Sequence, residues 1–259
     1  MPGAGGGVAF ARTVARRSDD SNVLVAASPA TVLRLAQGQF GDLTEDDVRS
    51  GGAERAEYGV LAVATDAPWQ TLDDLLAEWR RDPTSLVVSG GSAVAGQDHM
   101  KGLPLPHRAG LDPKRIRYVP FDGGGEAMTA LLGGFVQVFS GEGSEVEGQV
   151  EAGRLRVLVT LSPERLEGPL ADVPTAAESG LDVTWVTWRG FYVPPDITEE
   201  EYREWVRVLD QVGRSEEWAE ARRTNRLQPF FVVGDDFSDF VRDQVEDFRA
   251  MSREIGLIQ

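Results

Sequence analysis

The chain contains no cysteine, which excludes disulfides, thiol nucleophiles and cysteine-ligated zinc. It has two histidines, His99 and His107, and neither lies in an H-E-x-x-H pattern. Positive charge is scarce: 26 Lys and Arg stand against 42 Asp and Glu, a formal net charge of −16. That balance argues against a nucleic-acid partner, which needs a basic surface, and against an anionic membrane surface. It leaves room for a small anion, because backbone N–H groups and helix N-termini bind anions locally whatever the net charge. No apolar run approaches the roughly 18 residues of a membrane-spanning helix. The opening stretch MPGAGGGVAFARTVARRSDD has neither the basic start nor the apolar core of a signal peptide.

Enzyme fingerprints are also missing. Gly3, Gly5 and Val8 break the G-x-G-x-x-G pattern, and there is no phosphate-binding G-x-x-x-x-G-K-[ST] loop. No G-x-S-x-G nucleophile elbow occurs. The acidic stretch GEGSEVEG lacks the register of a calcium loop. No metal, cofactor or catalytic residue is therefore expected.

What is present is an alternation of apolar runs and amphipathic patterns over 259 residues, enough for one large domain or two small lobes. Runs at Asn22–Ala27, Tyr58–Ala64, Ser85–Val88, Arg115–Val119, Phe135–Phe139 and Leu155–Thr160 read as strands. Helical patterns separate them. Thr71 with Asp74, Ser144 with Glu147, and Thr198 with Glu201 have the spacing of capping boxes. A further helix is expected from Asp236, with Phe237, Phe240, Val241 and Phe248 on one face, and LPLPHRAGLDPKR reads as a surface loop. Such alternation predicts an α/β fold with mostly parallel sheets and flanking helices.

Glycine clusters where strands hand over to helices. SLVVSGGSAVAGQDHM places Ser89, Gly90, Gly91 and Ser92 after an apolar run and before a helix. Phe121-Asp122-Gly123-Gly124-Gly125-Glu126 repeats that chemistry, and Pro2 to Gly7 offers a third instance. In parallel α/β sheets ligands bind at the carboxyl ends of strands. Helix starts there offer free N–H donors and partial positive charge. Glycine permits close backbone approach. Three such junctions suggest an anion held by main-chain amides and small hydroxyls; the alternative is that the glycines only make tight turns. His99 reads as a packing or capping residue, and Trp185 and Trp188 as core or hinge packing.

The ordered motifs GGSAVAGQDHM, LDPKRIRYVPFDGGGEAMTALLGGFVQV, EAGRLRVLVTLSPER, ADVPTAAESGLDV and WRGFYVPPDIT resemble those of the substrate-binding proteins of tripartite tricarboxylate transporters, the TctC or Bug family. The resemblance covers essentially the whole chain. It implies a periplasmic-binding-protein-like, two-lobed fold joined by two crossing strands. The lobes would be residues 1–64 plus 189–259, and residues 65–188. It further implies a periplasmic or extracytoplasmic receptor, free or lipid-anchored, that captures a small organic carboxylate such as a di- or tricarboxylate. A monomer is expected, passing its solute to membrane permease subunits. By the same resemblance Ser89 to Ala93 form one anion loop and Phe121 to Glu126 the next, with Gly90, Gly91, Gly124 and Gly125 giving main-chain contacts and Ser92 a hydroxyl. Ser28 and Thr31 take the matching place in the first lobe, and Ser140 joins the set. Asp98 and His99 would shape the loop. The family layout places a strand, glycine loop, helix and second strand before a segment like PGAGG, so about 45 mature residues are expected to be missing and the first lobe incomplete. The rival reading is an α/β enzyme using the same loops on an anionic substrate, with His99 as base beside Asp98 or Glu126. A third is a protein that has lost its ligand.

Overall fold

The computed structural model describes residues 3–225 and 227–259, so Pro2, the first member of the third glycine segment, lies outside the described residues. In chain order the strands are β1 (Val25–Ala27), β2 (Arg49–Ala64), β3 (Val87–Gly90), β4 (Arg117–Pro120), β5 (Val138–Glu142), β6 (Leu155–Thr160), β7 (Val186–Val193) and β8 (Gln228–Val233). The α-helices are α1 (Gly7–Arg16), α2 (Pro29–Ala36), α3 (Leu72–Arg81), α4 (Gln97–Gly102), α5 (Pro104–Arg108), α6 (Gly124–Leu132), α7 (Gly143–Glu151), α8 (Glu199–Gly213), α9 (Glu216–Thr224) and α10 (Gly234–Glu254). The chain divides into two units: Met1–Ala56 with Trp188–Arg253 and Ile258, and Glu57–Thr187 with Glu254–Leu257 and Gln259.

In the second unit the strand order is β6-β2-β5-β3-β4. Strand β3 pairs parallel with β4 and β5, whereas β2 runs antiparallel to both β5 and β6. The sheet is thus mixed where mostly parallel pairing was expected, because β2 enters this unit running against its neighbours. Val60, Leu61, Ala62 and Val63 of β2 are fully buried, and Val60 and Ala62 join Leu131 of α6, Phe139 of β5 and Val146 of α7 in one apolar cluster. Trp185 is buried in this unit, its carbonyl accepting the Gly59 N–H at 3.2 Å.

In the first unit β1 pairs with β7 and β8 with β2, both antiparallel. Trp188 is fully buried, donates its indole N–H to Gln244 at 2.8 Å, and meets Phe237 edge-on at 5.0 Å. The capping boxes Thr71/Asp74 and Thr198/Glu201 both form, at the starts of α3 and α8.

Four local expectations are corrected. α7 is capped by Glu142 with Glu145, and Ser144 instead donates its hydroxyl to Glu57. β5 begins at Val138, paired with Val88 of β3; Phe135 is left in the preceding turn, 81% exposed. LPLPHRAG contains α5, with Leu103, Pro104, Leu105 and Pro106 buried. β2 starts at Arg49, nine residues before the apolar run that marked it, through a polar stretch, RSGGAERAE, that the sheet nevertheless buries.

Glu54 in that stretch sits where the β2–β8 register shifts between Ala53 and Arg55. It is 4% exposed, and among the described residues neither carboxyl oxygen has a hydrogen-bond partner. Its carbonyl accepts the Trp218 indole N–H at 3.1 Å. Burial, reinforced by the charge of Asp210, pushes its pKa up to about 7 from an ordinary 4.5. A raised carboxyl pKa stabilises the fold fully below the unfolded value, and that stability is lost as pH rises through the folded value. Melting temperature is therefore expected to fall between pH 4.5 and about 7 through this group, and Glu54→Gln to remove that part of the slope. Thermal melts of both proteins across that range check it; an identical slope in the variant would refute the assignment.

Candidate functional site

The two glycine loops of the second unit meet main chain to main chain. A Cβ on Gly91 would collide with the backbone of Gly123 and Gly124, lying 2.7 Å from the Gly123 Cα. One on Gly90 would lie 2.5 Å from the Asp98 Cβ, 2.6 Å from the Tyr118 hydroxyl and 2.9 Å from the Ser140 carbonyl. Both glycines are therefore required by contact. Gly123 adds a conformational demand: its φ of 116° at the N-cap of α6 lies outside the range that L side chains adopt. The Phe121 N–H donates to the Gly90 carbonyl at 3.0 Å and clamps the second loop on the first. The first N–H groups of α6, from Gly124 and Gly125, have no acceptor within their own helix. They lie at its positive end, and the Gly124 nitrogen sits beside the Gly91 backbone.

Side chains hold this cradle from beneath. The Ser89 hydroxyl is fully buried and donates to the Val138 carbonyl at 3.2 Å, and the Ser140 hydroxyl donates to the Asp98 carbonyl at 2.6 Å. Both hydroxyls are committed within the protein, so they support the cradle rather than line it. Ser92 accepts the Asp98 N–H at 2.9 Å through its hydroxyl oxygen, and its carbonyl accepts the Tyr118 phenol at 2.7 Å. Burial raises the Tyr118 pKa to about 12, so the phenol keeps the proton it donates. Ala93, Gly125 and Glu126 are exposed, and Glu126 accepts the Asp122 N–H at 3.3 Å.

Below the loops lies a cluster not foreseen in the sequence. Lys101 is fully buried and bonds Asp98 at 2.8 Å and Glu142 at 2.6 Å. Burial works against its charge, but Glu142 and Asp98 outweigh it and hold its pKa above the ordinary value. The Asp98/Lys101 spacing of three was the available local signal; Glu142, forty-one residues further on, left none.

His99 serves the loop. Its Nδ1 accepts the Ala95 N–H at 3.0 Å, and its ring lies 4.4 Å from that of Tyr118. Burial lowers its pKa to about 4, which keeps it a neutral acceptor. Asp98 is turned to Lys101 and Glu126 to Asp122, so neither carboxylate orients His99 as a base requires.

The first unit holds a similar junction. Ser28 caps α2 by accepting the Ala30 N–H at 3.3 Å, and buried Thr31 donates its hydroxyl to the Gly5 carbonyl at 3.1 Å. A Cβ on Gly6 would collide with that hydroxyl. The starts of α1 and α2 are thus tied together, again through glycine. Among the described residues no group of His, Asp and Glu could hold a metal ion, and no helix is long and apolar enough to cross a membrane.

The sequence model of the tripartite tricarboxylate transporter family receptors, TctC, matches residues 1–257. The chain belongs to the TctC family. Protein BugT of Bordetella pertussis is 25% identical to this TctC chain over 198 residues, 76% of this chain and 59% of BugT. A Cupriavidus necator protein is 23% identical over 201 residues, 76% of this chain and 58% of its own length. The TctC chain thus spans about three-fifths of the curated relatives it matches. Among solved structures, an R. palustris protein with adipate superposes with a TM-score of 0.83 at 19% identity, over 99% of this chain and 85% of that one. MatC from Rhodopseudomonas palustris with bound malate gives 0.75 at 20% identity, over 97% and 85%. At such identities these likenesses establish the fold alone, that of the periplasmic-binding-protein type.

Proposed function

We propose that this TctC protein is a non-catalytic, extracytoplasmic receptor that captures a small organic carboxylate and passes it to the membrane permease of a tripartite tricarboxylate-type transporter. The observation that carries the reading is the backbone contact of Gly91 with Gly123 and Gly124, which brings two glycine-rich loops to one point at the start of α6. Main-chain N–H groups at a helix start bind an anion without a fixed positive side chain, so the net charge of −16 does not stand against the reading. Family membership supports it, and so do neighbours of the same fold solved with adipate and with malate. In this reading Gly90, Gly91, Gly124 and Gly125 supply main-chain contacts and Ser92 its hydroxyl proton. Ser28 remains a candidate for a second set of contacts, with Thr31, its hydroxyl buried and given to the Gly5 carbonyl, holding that junction from beneath.

A thermal-shift screen of organic acids, with nucleotides and other cofactors as controls, tests this. A ligand present at 100 times its Kd stabilises the folded state by about 2.7 kcal/mol, a shift of several degrees in Tm for a protein of this size. At least one carboxylate is expected to give such a shift. If no acid does and a cofactor does, the reading falls.

A further inference from the structure

We propose that Glu145 selects the solute, requiring a hydrogen-bond donor, a hydroxyl or an ammonium, on the ligand end that meets the start of α6. The inference rests on the cradle being the ligand site. It names the solute as a hydroxy or amino acid rather than a plain dicarboxylate.

The placement of Glu145 is the first ground. A Cβ on Gly124 would collide with its Oε1 and lie 3.0 Å from its Oε2, and a Cβ on Gly141 would lie 2.6 Å from Oε2. The carboxylate therefore rests on the same Gly124 backbone that Gly91 touches. The second ground is its bonding. Oε2 accepts the Glu142 N–H at 2.9 Å and completes the capping box of α7. Among the described residues Oε1 accepts no hydrogen bond, and the residue is exposed. The third is the charge around it. The cation facing this cluster, Lys101, is already bonded to Asp98 and Glu142. Two carboxylates thus already share one ammonium. A ligand carboxylate held by the N–H groups at the start of α6 lies close to Glu145 with that cation already engaged, and a donor beside the carboxylate offsets the repulsion by meeting Oε1.

Loss of solvent around the Glu145 carboxyl, with the charges of Glu142 and Asp98, raises its pKa, while the Glu142 N–H and Lys101 pull the other way.

The test uses acids that differ at one substituent: succinate, malate and aspartate, with glutarate, 2-hydroxyglutarate and glutamate as a longer set. Calorimetric titration is made against the wild type and Glu145→Gln. Gln keeps an acceptor oxygen at the third helical position and is itself a capping-box residue, so the variant is expected to melt with the wild type, which a thermal scan verifies. In the wild type the donor-bearing acids of at least one set are expected to bind at least tenfold tighter than their plain counterpart. In the variant that preference should shrink to under threefold, through weaker binding of the amino acid and tighter binding of the plain acid. If the plain acids bind the wild type as well as the others, or the variant leaves the ratio unchanged, the proposal is overturned while the receptor reading stands. If none of the six nor any other acid of the screen binds, both are overturned.

Discussion

Replacement of Lys101 by methionine is expected to cost about 3–5 kcal/mol, because it leaves the buried Glu142 and the part-buried Asp98 without their shared cation. Asp98 and Glu142 both point at its ammonium, and Lys101 has no exposed surface. Among the described residues one Glu142 oxygen is already buried without a hydrogen-bond partner, so the site has little capacity to absorb the loss. The stem is fitted closely: a Cβ on Gly59 would lie 2.7 Å from the Lys101 Cδ. Denaturant unfolding at neutral pH reads the change directly. Removing the charges together, as Lys101→Met with Asp98→Asn and Glu142→Gln, should recover a good part of the loss, since breaking a buried pair is worse than replacing it. A single variant within about 1 kcal/mol of wild type, the typical effect of an ordinary point substitution, would show that water reaches the cluster and that Lys101 is not the keystone of the cradle.

Gly91→Ala is expected to act on binding as strongly as on folding. The added methyl has nowhere to go, because the atoms it meets are backbone of Gly123 and Gly124, which cannot rotate away as a side chain can. Overpacking of this kind costs about 1–3 kcal/mol. If the loops part to admit the methyl, the same energy appears as roughly a 5- to 150-fold loss of affinity. Gly125→Ala is the control for stability. A Cβ there meets nothing within 4 Å, and alanine in a helix is favoured over glycine by about 0.5–1 kcal/mol. A Gly91→Ala protein that melts and binds as the wild type does would mean that the two loops are not in register contact.

The features legible in the sequence were those with a local cause. The Thr71/Asp74 and Thr198/Glu201 boxes formed as spaced, because each is closed within one helical turn. The same spacing misled at α7. Glu142/Glu145 and Ser144/Glu147 are rival boxes two residues apart, and the hydroxyl of Ser144 was drawn to Glu57, eighty-seven residues away. The polar first half of β2 and the whole of β8 carry no alternating pattern; they are strands because they pair with each other. The glycine loops announced themselves as strand-to-helix junctions, but their mutual contact joins Gly91 to a segment more than thirty residues on. Ser89 and Ser140 have the chemistry of a ligand site, and their complete burial is decided by tertiary packing that no local pattern shows. A lysine two residues after a histidine on a short helix gives no local hint of the complete burial of Lys101.

Because the floor of the cradle is peptide bond rather than side chain, it offers almost nothing for point substitution to rewrite: every amino acid brings the same amide. Any attempt to redirect this scaffold to a different metabolite must therefore work at its margin, where Glu145 leans on Gly124. In the proposed reading, grip and discrimination fall on physically separate parts of one site.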